Sequence, residues 1–210
     1  MIKFLKIIIF ALILFIGVKY MVRTAKITRK TSETEITVEL NLDGSGQNEI
    51  NTGFKFMDHM LRLLATHSNS DIKIKATGDL THHIIEDIGI SLGECFHKAL
   101  GDKKGINRYG SALIPMDEAL ARCVLDFSGR KALILDLNLK ECDIEDIAVE
   151  DVEHFFNSFT ENAKMNLHIH VLYGEDQHHK VEAVFKALAR AIKEAKKIIS
   201  EEIPSTKGIL

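Results

Sequence analysis

Two matched sets of histidine and glutamate carry the chemistry open to this chain. His59 is followed 23 residues later by His82-His83-Ile84-Ile85-Glu86, and His154 is followed 24 residues later by His178-His179-Lys180-Val181-Glu182. The pattern His, then His-His-x-x-Glu, therefore occurs twice in register. On a helix the first histidine of each doublet stands four residues from the glutamate and the second three, so all three side chains are expected to converge on one side. Imidazole with carboxylate suits a divalent first-row metal, and the absence of cysteine from the sets argues against a structural tetrahedral zinc. The residues imply two metal ions, or one kind of site built twice by different halves. A lone histidine is ordinarily a core or surface residue, and a lone glutamate opening a helix is explained by the macrodipole. Neither explanation covers a doubled, position-matched octet. His97, His168 and His170 lack such partners and read as ordinary residues.

The elements that must position these groups follow from periodicity. Thr34 to Leu42 alternates with period two and ends in Asp43-Gly44-Ser45-Gly46, a strand and a turn. Phe56 to His67 has apolar residues at spacings of three and four and reads as an amphipathic helix; Asp71 to Ala76 alternates again as a strand. A long helix is expected from about His82 to Leu100, with Ile84, Ile88, Leu92, Phe96 and Leu100 along one stripe and Gly101 as its cap. The second half repeats the order: strands at Ala121 to Phe127 and Lys131 to Leu137, a helix from about Val149 to Asn162, a strand at Leu167 to Tyr173, and a helix from about Gln177 to Ile199. Each half is strands, helix, strand, helix. The expectation is an α+β fold, an internally duplicated unit of one sheet and two helices with the two halves sandwiched. The halves run over residues 21–107 and 108–210.

Composition agrees with a compact globular chain. Of 210 residues, 46% are apolar and 27% charged, with two prolines, which excludes a disordered or collagen-like chain. Lys and Arg number 27 against 30 Asp and Glu, so nothing favours nucleic acid as a partner. Three widely spaced cysteines, Cys95, Cys123 and Cys142, fit neither a disulfide framework nor a Cys-x-x-Cys site, and point to a reducing cytoplasm. Residues 1–20 stand apart. Ile7 to Val18 is an unbroken apolar run flanked by Lys3, Lys6 and Lys19, shorter than the roughly 20 residues a spanning helix needs. It is a short anchor, a secretory signal, or an extension upstream of a true start at Met21, the favoured reading. A membrane partner follows only from the first of these. On residue chemistry alone a metal-storage assembly and a dinuclear phosphate-ester hydrolase also stay open.

The same residues carry a resemblance over about Met21 to Leu210. The chain resembles the imidazoleglycerol-phosphate dehydratase family at Arg29-Lys30-Thr31-Ser32-Glu33-Thr34, Leu42-Asp43-Gly44, Phe56-Met57-Asp58-His59-Met60-Leu61, both His-His-x-x-Glu segments, Gly105-Ile106-Asn107-Arg108, Val152-Glu153-His154-Phe155-Phe156 and Pro204-Ser205-Thr206-Lys207-Gly208. The resemblance implies a ribosomal protein S5 domain 2-like unit, self-association into trimers that gather into 24-subunit shells, and two Mn(II) ions per active site. The implied ligands are His59, His82, His83, Glu86, His154, His178, His179 and Glu182. The implied contacts to a small-molecule phosphate ester are Glu33, His67, Arg108, Arg130, Lys186, Ser205 and Lys207, the last two on a C-terminal phosphate-binding tail. Arginine, lysine and serine suit a phosphate monoester.

The implied reaction is loss of water from imidazoleglycerol phosphate, in histidine biosynthesis. The departing proton sits on a carbon with no adjacent carbonyl, so metal ions on the imidazole ring must supply the driving force, with Glu182 and then Glu33 as candidate proton carriers. Two departures from the family pattern stand out. Leu63 replaces a glutamine common in relatives, and the segment before His82 is about three residues short.

Overall fold

A computed structural model of the chain describes residues 23–140 and 143–210. The apolar run of residues 1–20, Met21 and Cys142 lie outside the described residues. The first half comprises β1 (Thr24–Lys30), β2 (Thr34–Asn41), β3 (Asn48–Asn51), α1 (Lys55–Ser68), β4 (Asp71–Gly78) and α2 (Thr81–Leu100). The second comprises β5 (Tyr109–Met116), β6 (Ala119–Asp126), β7 (Ala132–Asp136), the short ribbon β8 (Asp143–Ile144) and β9 (Ile147–Ala148), α3 (Val149–Ala163), β10 (Asn166–Tyr173) and α4 (Gln177–Ala195). The fold is α+β. Its two four-stranded sheets have the same plan, β1-β2-β4-β3 and β5-β6-β10-β7. Three strands of each are antiparallel, while β3 runs parallel to β4 and β7 parallel to β10.

Alternation decides which side of each sheet meets the helices. Ile36, Val38 and Leu40 on β2, Ala121, Cys123 and Leu125 on β6, and Leu167, Ile169 and Val171 on β10 all point inward and are buried. Helix α2 covers β1 and β2 and packs on α3 from the other half; α4 covers β5 and β6 and packs on α1. The four helices thus form one layer between two sheets, and each helix contact joins one half to the other. Phe96, Phe155, Phe156, Phe159 and Phe185 fill this layer, with ring centroids 5.2–5.8 Å apart. Two glycines let α2 and α3 close up. A β-carbon at Gly89 would stand 2.8 Å from the Phe155 carbonyl oxygen, and one at Gly93 2.7 Å from that of Phe159.

The outward faces of the sheets differ. The first is a ladder of charges, with Lys26 to Glu39 at 2.7 Å, Lys30 to Glu35 at 2.8 Å and Lys73 to Glu49 at 3.4 Å. The second carries Leu113, Val124, Ile134 and Leu172, exposed by 42–59%. Val124 and Ile134 flank His168 across β6, β10 and β7.

Several elements differ from expectation for local reasons. Helix α4 stops at Ala195 instead of running to Ile199. Beyond it the chain pairs with residues 105–108, where Arg108 N–H donates to the Ala195 carbonyl, Asn107 N–H to that of Lys197, and Ile106 bridges Ile198. Strands β3, β5, β8 and β9 lack the clean alternation that marks a strand in sequence. Strand β5 contains Gly110 and Pro115, and it is an edge strand, where a missing N–H is tolerated. The short segment before His82 makes a two-residue link, residues 79–80, between β4 and α2. Asp79 N–H is held by the Glu33 carbonyl. Leu63 is half-buried against the core.

Candidate active site

The two helix contacts each bring histidines of one half to those of the other. Between α1 and α4, His59, His178 and Glu182 place one ligand atom apiece within 4.8 Å of one another. Glu182 Oε2 lies 3.4 Å from His59 Nε2 and 3.3 Å from His178 Nε2. Ligands each about 2.1 Å from one ion stand roughly 3–3.5 Å apart, so this donor set and spacing fit a divalent first-row metal. The other carboxylate oxygen, Oε1, accepts from Lys186 Nζ at 2.6 Å. Burial works to raise the Glu182 carboxyl, but Lys186 and His59 outweigh it and hold the carboxyl below its usual value. A cleft lined by Lys55, Phe56, His59, Glu145, Asp146 and His178 opens onto this cluster.

Between α2 and α3 the rings of His82 and His154 meet edge to face, centroids 4.4 Å apart. Glu86 lies one turn beyond His82 on α2, half-buried. Unlike Glu182, it has not joined the histidines of its motif. The expected convergence of a whole His-His-x-x-Glu segment is met only in the second, and there only by its first histidine, His178. The ring of His83 is 6.2 Å from that of His82 and the ring of His179 is 6.2 Å from that of His178, at interplanar angles of 66° and 80°.

Every histidine of the two doublets has a carboxylate at Nδ1. His82 Nδ1 lies 3.2 Å from Asp151 Oδ1, His83 Nδ1 2.9 Å from Asp79 Oδ1, His178 Nδ1 3.1 Å from Glu145 Oε1, and His179 Nδ1 2.7 Å from Glu118 Oε2. Asp79 raises the proton affinity of His83, as Glu118 does that of His179, in both cases against the opposing effect of burial. Glu118 is held down to about 2, first by the Asp176 backbone N–H and then by His179. These four carboxylates were not among the candidates read from sequence. Asp79, four residues before His83 in the link that leads into α2, was the one with a local signal.

The remaining candidates fall in three places. Glu33, in the β1–β2 turn, brings its Oε2 to 3.8 Å from His83 Nδ1. His67 faces α4, where burial first and then Lys186 and Arg190 lower its proton affinity. Arg108 lies at the far end of α4 with the tail that carries Ser205 and Lys207, and the Arg130 turn stands against the last residue of that tail, Leu210. At positive φ, Arg108 forks onto Asp126 at 2.7 and 3.0 Å and donates through Nη1 to the Pro204 carbonyl, which pins the tail. Lys207 N–H donates to Ser205 Oγ, and the Arg130 turn is closed by Ser128 Oγ at 3.2 Å. Lys103, also missed from sequence, is buried beside this turn. A β-carbon on Gly129 would stand 3.4 Å from its Nζ.

Comparison with known proteins finds relatives over most of the chain. The family model described as imidazoleglycerol-phosphate dehydratase matches residues 52–192. The enzyme of that name from Chloroherpeton thalassium is 52% identical over 191 residues, covering 90% of this chain and 98% of its own. The one from Methanococcoides burtonii is 53% identical, covering 90% and 100%. Among solved structures, the imidazoleglycerol-phosphate dehydratase of Staphylococcus aureus superposes with a TM-score of 0.77 at 38% identity, covering 83% of this chain and 99% of that one. The Pyrococcus furiosus enzyme gives 0.73 at 38% identity, covering 88% and 100%.

Proposed function

The chain belongs to the imidazoleglycerol-phosphate dehydratase family, and on that premise we propose that it is the manganese-dependent hydro-lyase converting imidazoleglycerol phosphate to imidazole-acetol phosphate and water in histidine biosynthesis. The observation that carries the metal reading is the convergence of His59, His178 and Glu182 from opposite halves of the chain. His59, His82, His83, Glu86, His154, His178, His179 and Glu182 would hold two Mn(II) ions per active site, which would supply Lewis acidity toward the substrate ring.

The protein's own residues handle protons and position. Lys186 anchors Glu182 by one oxygen while the other faces the two imidazoles, so this carboxylate is oriented within the site, which is where a proton carrier has to stand. Glu33 beside His83 is the second candidate. Arg108, Arg130, Ser205 and Lys207 hold the phosphate at the far end of α4, with Lys186 and His67 nearer the metals. Thirteen residues of α4 separate Glu182 from Ala195, whose carbonyl Arg108 holds, or about 20 Å of helix. A substrate of one ring, three carbons and a phosphate spans only roughly 10 Å. That separation supports a complete site in which residues of different copies meet one substrate molecule. The apolar outer face of the second sheet supports such self-association, and the family resemblance implies that it runs through trimers to a 24-subunit shell.

The cytoplasm is the proposed location. Cys95 and Cys123 are buried free thiols, and among the described residues no helix is long and apolar enough to cross a membrane. The test strips the purified chain of metal and titrates it with Mn(II) in the presence of imidazoleglycerol phosphate, following ketone and free phosphate together. Manganese-dependent ketone without phosphate release is the expected result. Phosphate release would identify a hydrolase, and tight Mn(II) uptake with neither product would identify a metal-binding assembly.

A further inference from the structure

The four histidines of the doublets share a feature that their motif does not contain. Each is met at Nδ1 by a carboxylate from a different connection: Asp79 from the β4–α2 link, Glu118 from the β5–β6 turn, Glu145 from the β8–β9 turn, and Asp151 from the first turn of α3. We propose that Asp79, Glu118, Glu145 and Asp151 are positioning residues that hold these imidazoles by Nδ1–H and so present each Nε2, unprotonated and aimed, to a metal ion. The proposal rests on the reading of His82, His83, His178 and His179 as ligands.

Neutral imidazole carries one N–H, and a carboxylate at Nδ1 draws that proton to itself, which leaves the lone pair on Nε2. Two of the Nε2 atoms face a further carboxylate: His179 Nε2 lies 3.7 Å from Asp117 Oδ2, and His178 turns the same atom to a member of its own cluster. In His178, Nε2 points back to Glu182 Oε2 at 3.3 Å, while Nδ1 is turned to Glu145. The carboxylates are themselves fixed. Glu118 Oε1 accepts the backbone N–H groups of Glu175 and Asp176, so it ties the β5–β6 turn to the start of α4 while Oε2 reaches His179. Asp79 accepts from Leu80 N–H, and Asp151 from Ala148 N–H. Glu145 is placed by its neighbour. Asp146 receives the Lys55 and Phe56 N–H groups at the start of α1, which locks the β8–β9 turn beside the cluster between α1 and α4. A carboxylate serving only as surface charge has no reason to meet the same ring nitrogen four times out of four.

The experiment measures Mn(II) binding to the metal-stripped full chain by isothermal titration and by electron paramagnetic resonance of free Mn(II), with no substrate present. Glu145→Ala and Glu118→Ala are each expected to weaken binding by about 10–100-fold. Glu145→Gln and Glu118→Gln, whose amide oxygen still accepts from Nδ1–H, are expected to recover most of that loss. Glu118 also holds two backbone groups, so thermal unfolding of its variants is recorded, and Glu145, which bonds His178 alone, decides the matter if Glu118→Ala does not fold. Unchanged affinity in Glu145→Ala overturns the proposal, as does an equal loss in the Ala and Gln variants, which would assign the effect to bare charge. Failure of the unaltered chain to bind Mn(II) would instead overturn the ligand reading beneath it.

Discussion

The helix pairs α1–α4 and α2–α3 do the same work with different means of attachment. Each is a cross-half contact that brings a short-helix histidine to the first histidine of a doublet. The α1–α4 pair is polar at both ends. At one, Glu182 binds Lys186 and faces two imidazoles; at the other, the ammonium of Lys196, just past α4, is buried against the carbonyls of Leu42 and Asn69 and the Ser70 hydroxyl. The α2–α3 pair has one polar contact, His82 to Asp151 at its site end, and otherwise closes through Gly89 and Gly93 against bare backbone. The difference teaches that a doubled motif need not give doubled sites. The cluster between α1 and α4 is assembled with its carboxylate in place, while the one between α2 and α3 has its histidines together and Glu86 still apart.

The strongest way to break this comparison is to neutralise the two glutamates. Glu182→Gln is expected to keep assembly and lose about 10²–10⁴-fold in turnover, because it removes a proton carrier as well as a ligand. Glu86→Gln should lose less in steady-state assays at saturating Mn(II), and equal losses would make the two clusters equivalent. Next is the packing. Gly93→Val pushes a branched side chain into the Phe159 carbonyl and should destabilise the chain by about 1–3 kcal/mol or more in urea unfolding. It should also separate His82 from His154, while the cluster between α1 and α4 persists.

Arg130→Ala tests the far end of α4. Loss of a charge-assisted phosphate contact costs about 1.5–3 kcal/mol, roughly 10–100-fold, and should raise KM more than it lowers kcat, because anchoring is shared by ground and transition states. A pure kcat defect would move Arg130 into the chemistry. The last test is a pH dependence at the Lys196 lock. Burial lowers the Lys196 ammonium from 10.5 to about 8. Between those values the unfolded chain carries the proton and the folded one does not, so stability gains from this group as pH rises through that window, and below about pH 8 the buried charge is a cost. Lys196→Met should flatten the rise in denaturation midpoints recorded from pH 7.5 to 10.5.

Much of the fold was legible because it rests on local periodicity. The four helices and strands β2, β4, β6 and β10 follow from apolar spacings that face one buried side. Strand β5 was not legible, since its pairing with β6 and its packing on α4 override a sequence with glycine and proline in it. The end of α4 was misplaced because Ile198 and Ile199 continue a helical pattern in sequence, yet Asn107 and Arg108 draw the chain away.

By itself the sequence determined the residue types of the site, their placement at helix starts, the doubling, and the family. Those are matters of spacing along one element, where 3.6 residues per turn says what shares a face. Only the tertiary structure decided which histidine meets which. It joined His59 to residues 119 and 123 positions away and His82 to one 72 positions away, and it brought Glu118 to His179 across 61. The reason is physical. Contacts at such separations depend on how closely two helices approach and where a turn ends, and those are set by glycines, aromatic packing and buried polar locks spread over the whole chain.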